Sequence, residues 1–462
     1  MILDVGRRLA AALGRGAGRA LGLAVGLAVV LPSTVAAHSL NSTYASRLPL
    51  AVYLAGAATT VALSFAFVIV RDVRAAPPVL EAAAVLPPAW LRHLLRALGL
   101  VGWTWIVVQG LVGGSSDGDV ATLFLWVYGW VGLAMICAIV GPAWHFLDPF
   151  STLHDLGAAL LRRLRIQGWA AADYPASLGR WPATIGFAFF VWLELVVLAG
   201  PGTLFIVLVG YTAFTLAMMA QFGRDEWRSR GETFTVWFRL LGHLAHWALV
   251  DEEGRVRTRA FASGLLEPGW SAADLTLVSL GVASIIFDGL SQTETFFNLF
   301  GAPGIPGRTL LLFGFLGTVV LLAFVVAGSV GLRATGAGLL PIALGYLIAH
   351  YLTYLLIDGQ RILIAVSDPL QRGADLFGTA FHTPTGDWLP PGLVWTLQLA
   401  AVVGGHMLGA WGGHVVAAAD APPESSSGAL RRRQLPLAVV MVVLTTLTLW
   451  SLGQAIIVPP PS

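Results

Sequence analysis

Ionisable side chains stand inside apolar runs at several places in the sequence. Glu194 lies in Val191-Trp192-Leu193-Glu194-Leu195-Val196, and Asp288 in Ile285-Ile286-Phe287-Asp288-Gly289. His350 is followed one helical turn later by Tyr354 and a further turn later by Asp358, which puts all three on one helix face. His406 occupies another apolar run, with His414 two turns on and on about the same face. An ionisable group among apolar spanning residues is costly and normally faces a bundle interior or a water-filled cavity, so each is a functional candidate.

Neutral imidazole donates a lone pair and a carboxylate balances cation charge. Together they suit a transition-metal site, copper or zinc, or a proton relay. The predicted metal set is His350, His406, Asp288 and Glu194, with Tyr354 and Asp358 as further polar lining. His414 lies about 12 Å from His406 along a helix axis, which suits a second site or a pathway residue. The plainer alternative is that these groups make interhelical hydrogen bonds that only fix packing.

His38 carries a separate expectation. It follows Ser33-Thr34-Val35-Ala36-Ala37, which has small residues at the −3 and −1 positions of a signal cleavage site. Cleavage after Ala37 leaves an N-terminal His38 whose amine and ring nitrogen can share one metal, a geometry suited to copper. The exposed loop residue His382 is the nearest candidate to join it. His243 and His246, three apart on an amphipathic segment, are read as a solvated face, and Asp148-Pro149-Phe150 as a helix start. His93, His145 and His154 are given no role.

The elements that must hold these groups follow from composition. Of 462 residues, 56% are hydrophobic and 11% charged, where a soluble domain carries roughly 25% charged residues. Mean hydropathy is +0.77. All 27 basic residues are arginine, clustered between apolar runs about as long as a bilayer core is thick. Backbone groups in lipid must be satisfied within the segment, and the runs are too long for barrel strands. The expected fold is all-α, a polytopic transmembrane bundle of about ten spans after an N-terminal signal segment at 1–37.

The predicted spans are 49–70, 97–113, 121–141, 182–200, 203–222, 273–292, 309–332, 338–358, 391–416 and 436–457. They form a single domain over 38–462. Arginine placement sets the mature N-terminus and the loop 359–391 outside and most arginine clusters inside, in a plasma-membrane setting. Interfacial amphipathic helices are expected near 151–166 and 232–250. The single cysteine, Cys137, excludes an intrachain disulfide. Walker, Rossmann and His-Glu-x-x-His patterns do not occur, and the one Gly-x-Ser-x-Gly string, Gly114-Ser115-Ser116-Asp117-Gly118, stands in a loop between predicted spans and makes no nucleophile elbow, which disfavours a nucleotide-driven pump or serine hydrolase.

Several short motifs, taken in order, resemble a bacterial family of polytopic membrane proteins often labelled fenitrothion hydrolase. They are Ala37-His38, Trp130-Val131-Gly132-Leu133 with Trp144 and Asp148-Pro149-Phe150, and Trp192-Leu193-Glu194-Leu195-Val196. Phe287-Asp288-Gly289, Ala349-His350-Tyr351 and Ser367-Asp368-Pro369-Leu370 with Asp375-Leu376-Phe377-Gly378-Thr379 follow, then Gly405-His406 and Gly413-His414. The chain departs from that pattern at Asp148, where asparagine is common, and at Val415, where an aspartate is common. The resemblance implies a membrane-bound hydrolase of organophosphate-like esters.

Three functions are therefore expected as alternatives: metal handling or transport, metal-dependent hydrolysis of a small lipophilic ester, and a structural or assembly subunit. The lipid bilayer is the expected surrounding, and no nucleic-acid-binding signal is present.

Overall fold

The computed structural model describes residues 55–64 other than 57, 82–114, 118–166, 171–422 and 425–452. The expected signal segment 1–37 and His38 lie outside the described residues, and the expected span 49–70 is described only between 55 and 64.

In chain order the first helices are α1 (Ala89–Val112), α2 (Val120–Ile139), α3 (Ala143–Leu147), α4 (Pro149–Arg163), α5 (Trp181–Val197), α6 (Pro201–Phe222), α7 (Arg224–Arg230) and α8 (Thr233–Leu241). A hairpin of β1 (Trp247–Leu249) and β2 (Val256–Thr258) follows, antiparallel with Ala248 opposite Arg257. Then come α9 (Ala272–Ser291), α10 (Glu294–Phe300), α11 (Ile305–Val330), α12 (Leu332–Asp358), α13 (Ile362–Ser367), α14 (Pro391–Ala419) and α15 (Ser427–Leu452).

Eight described helices are long and apolar enough to cross a membrane: α1, α2, α6, α9, α11, α12, α14 and α15. They coincide with eight of the predicted spans. The predicted span 182–200 is the shorter apolar helix α5. The protein is thus a predominantly helical, multi-pass membrane protein.

The described residues fall into two compact units, one within 79–264 and 351–388, the other within 1–78, 265–350 and 389–462. Helix α12 runs from the second unit into the first at His350 and Tyr351.

In the first unit, polar side chains start the short helices. Asp148 accepts from the Phe150 and Ser151 amides before α4, with Pro149 in the first helical turn, and Glu232 accepts from the Phe234 and Thr235 amides before α8. Each supplies an acceptor to amides that have no partner inside the helix. Around them lies an aromatic core in which Trp130 meets Phe187, Phe190 and Trp237 at ring-centroid distances of 5.6, 5.3 and 6.0 Å. Residues 123–133 of α2 and 193–197 of α5 wind as π-helix.

The two expected interfacial helices part company here. Helix α4 leaves Leu156, Leu160 and Leu161 exposed. The segment expected at 232–250 is instead a nine-residue helix, α8, with Val236, Trp237, Phe238, Leu240 and Leu241 buried, followed by a turn and the hairpin. An amphipathic pattern records that one face is apolar; protein as well as lipid can cover it.

In the second unit, glycines bring backbones together. A Cβ at Gly405 of α14 would stand 2.7 Å from the Pro341 carbonyl oxygen of α12, and Gly409 and Gly345 are equally confined by the Gly338 and Ala401 carbonyls. Small residues let membrane helices approach closely, where packing has to replace the hydrophobic drive. A reciprocal Ser271–Asp274 capping box starts α9.

Candidate functional site

Asp288, on the last turns of α9, meets His350 of α12 across the helix interface. His350 Nε2 is 2.9 Å from Asp288 Oδ2, and their side chains are 18% and 15% exposed. The other carboxylate oxygen accepts from Gln292 Nε2 at 2.8 Å. Gly289 lets the helices close up beside the ring: a Cβ there would stand 3.2 Å from Ser451 Oγ, 3.5 Å from His350 Cε1 and 3.7 Å from His350 Nδ1. Two of the four main predicted ligands are thus brought together, with the Ser451 hydroxyl, which donates to the Thr448 carbonyl at 2.8 Å, nearby.

His406 is placed otherwise. It is fully buried, and its Nδ1 is 2.8 Å from the Val402 carbonyl oxygen. A carbonyl only accepts, so Nδ1 carries the proton and the lone pair sits on Nε2. That Nε2 is 3.3 Å from the Tyr346 hydroxyl, also buried. Both ring nitrogens are therefore engaged by protein groups, as the packing alternative requires.

His414 is also buried, and its Nδ1 lies 2.8 Å from Gln434 Oε1. Its Nε2 and the Gln434 amide nitrogen are enclosed without a hydrogen-bond partner among the described residues.

Glu194 lies in the π-helical turn of α5, in the first unit, whereas Asp288, His350 and His406 belong to the second. Asp358 is held by Arg361 Nε at 3.2 Å, a local ion pair that turns it to the chain's own next turn. Tyr354 packs on Tyr351, their centroids 6.4 Å apart. His382 Nε2 is 3.1 Å from Gln360 Oε1. Among the described residues no group of three or more His, Cys, Asp or Glu side chains is placed to hold a metal ion.

A second polar cluster, with no role expected from the sequence, lies in the first unit. Arg228 Nε is 3.2 Å from Asp148 Oδ2, with side chains 3% and 0% exposed. Arg228 also reaches Glu252 at 3.4 Å and His145 Nδ1 at 3.4 Å, and Glu252 binds Arg239 in turn. Beside it, the buried Glu232 accepts from the Tyr211 hydroxyl and Thr235 Oγ1, both at 2.5 Å. Complete burial, and then the Asp148 charge, push the Glu232 carboxyl above its ordinary range. Burial first, and then the Arg228 charge, lower His145 to about 2. The available signal was the pair of capping positions: an acid just before a helix start, at Asp148 and at Glu232, is also an acid that can be buried with its lone pairs used.

The fold and these sites define a multi-pass helical membrane protein with, among the described residues, a carboxylate–imidazole pair between two of its long apolar helices. No known protein family, characterised protein or solved structure matches the chain.

Proposed function

We propose that the protein carries a cation, a copper or zinc ion in the first instance, and that Asp288 and His350 are its exchange site. One observation supports this most: an imidazole nitrogen and a carboxylate oxygen 2.9 Å apart on two spanning helices, both partly exposed. A resident metal takes three or four protein ligands. Two ligands leave half of a four-coordinate shell to water, which favours an ion that is passed on over one that is stored.

The test is flux into vesicles of the purified full-length chain, with metal-responsive and pH-responsive dyes trapped inside. Gradient-driven metal entry that drops at least about tenfold in Asp288→Asn and in His350→Gln, corresponding to about 1.4 kcal/mol or more, supports the proposal. His93→Gln should retain the flux. Equal entry in wild type and both variants sinks it, and a response of the pH dye alone replaces the metal by a proton.

Membrane-bound hydrolysis is the second reading. It is favoured by Ser451 Oγ and the His350 ring both lying close to Gly289, with Asp288 on the ring's Nε2. A carboxylate that orients an imidazole next to a hydroxyl is the arrangement that activates a nucleophile. Turnover of an aryl phosphotriester that is lost in Ser451→Ala, with metal flux absent, would favour it over carriage.

A further inference from the structure

Residues 368–388, between α13 and α14, hold apolar side chains outward on a tightly bonded loop. Leu376, Phe377 and Phe381 are 65%, 70% and 89% exposed. The backbone beneath them is fastened. Ser367 Oγ donates to Asp375 Oδ1 at 2.8 Å and accepts from the Phe377 and Thr379 amides, and Asp375 Oδ1 also accepts from the Ala380 amide at 3.0 Å. Asp368 accepts from the Arg372 and Gly373 amides at 2.9 and 2.7 Å. Gly373 and Gly378 take φ of +83° and +73°, the left-handed region that glycine allows, where the loop turns.

The loop is strapped to the end of a span. Trp105 Nε1 and Gln109 Nε2 of α1 donate to the Pro369 carbonyl at 2.8 and 3.1 Å, and the Gly114 amide donates to the Leu370 carbonyl at 2.9 Å. At that end of α1, Val108, Leu111 and Val112 are exposed apolar residues. The loop that carries the outward apolar side chains is therefore bonded to an end of a spanning helix that is itself apolar and exposed.

An apolar patch of this kind marks an interaction surface, and its surroundings favour lipid. Trp and Tyr concentrate at the membrane–water boundary, and the same loop carries the exposed Trp388; Phe and Leu supply the apolar face of interfacial segments. Polar groups tolerate that zone when they are already satisfied, and the Asp368 and Asp375 carboxylates accept from the loop's own amides. The Ala380 amide and the Ser367 hydroxyl hold the Asp375 carboxyl below its ordinary range.

We propose that Leu376, Phe377 and Phe381 form an interfacial anchor, inserted among the phospholipids at the end of the membrane where residues 368–388 emerge. The bilayer covers this face, and the loop thereby fixes the depth of the α1 end to which it is bonded.

The test places a nitroxide at Phe381→Cys, and separately at Phe377→Cys, in full-length protein carrying Cys137→Ala. The protein is reconstituted in phosphatidylcholine–phosphatidylglycerol vesicles. Phe381 is the more exposed of the two, so its replacement leaves the fold intact, which circular dichroism checks. A label at Asp387→Cys, exposed on the same loop, reports water. Insertion gives an oxygen-to-nickel-chelate collision ratio several-fold higher at 381 and 377 than at 387. Ratios equal to that at 387 would mean that the face is in water. Low collision with both reagents would mean that protein covers it. Either result overturns the anchor, and neither depends on what Asp288 and His350 do.

Discussion

The Arg228 guanidinium lies 3.2 Å from the Asp148 carboxylate, with both side chains almost completely removed from solvent. Asp148 simultaneously caps α4 through its other oxygen. One carboxylate therefore ties the start of a surface helix to the arginine-rich turn of α7.

Removing one partner of such a pair strands a buried charge. Arg228→Met should destabilise the protein by about 3–5 kcal/mol. Asp148→Asn keeps an acceptor for the cap but loses the charge, and should cost as much. The double variant Asp148→Asn/Arg228→Met should lose less than the sum of the two. Thermal unfolding in detergent measures all three, and strictly additive losses would show that the contact contributes nothing of its own.

The Tyr346–His406 contact predicts a smaller effect. Tyr346→Phe keeps the ring but leaves the His406 lone pair buried without a donor, at a cost of about 1–3 kcal/mol. Metal or proton flux should persist, because Tyr346 does not touch the Asp288–His350 pair in any described contact. A variant with unchanged unfolding temperature would remove His406 from the packing role.

His145 gives a pH dependence whose sign follows from its depressed proton affinity. The unfolded chain takes up a proton as pH falls through the ordinary histidine value near 6.5. The folded protein does so only at about 2. Between those limits the unfolded state binds more protons, so stability falls with falling pH by at most about 1.4 kcal/mol per unit. Above that window the group contributes no slope. His145→Gln should flatten the dependence between about pH 6 and pH 5 relative to wild type. Unfolding midpoints measured for both proteins at each pH check this, and parallel curves would contradict it.

Much of the architecture was legible because lipid imposes a length on apolar runs. The predicted span 309–332 is α11, 273–292 is α9 and 391–416 is α14. The hairpin at 247–258 was hidden, since strands of three residues are too short for alternation to register. For the segment that became α8, spacing could establish an apolar face but could not say whether lipid or Trp130 and Phe187 would cover it.

The candidate site shows the same division. Residue type and apolar context were enough to single out Asp288, His350, His406, His414 and Glu194, because a charged or titratable group there is expensive wherever it ends up. Which of them meet was decided by helix crossings. Those crossings depend on glycine contacts such as Gly405 against Pro341, between residues more than sixty positions apart. They join His350 to Asp288, give His406 to Tyr346 and set Glu194 in the other unit. Sequence by itself determined that this is a multi-pass helical membrane protein with a few costly polar groups. Tertiary structure decided which of those groups form a pair, since partnership depends on distances between helices that no local pattern encodes.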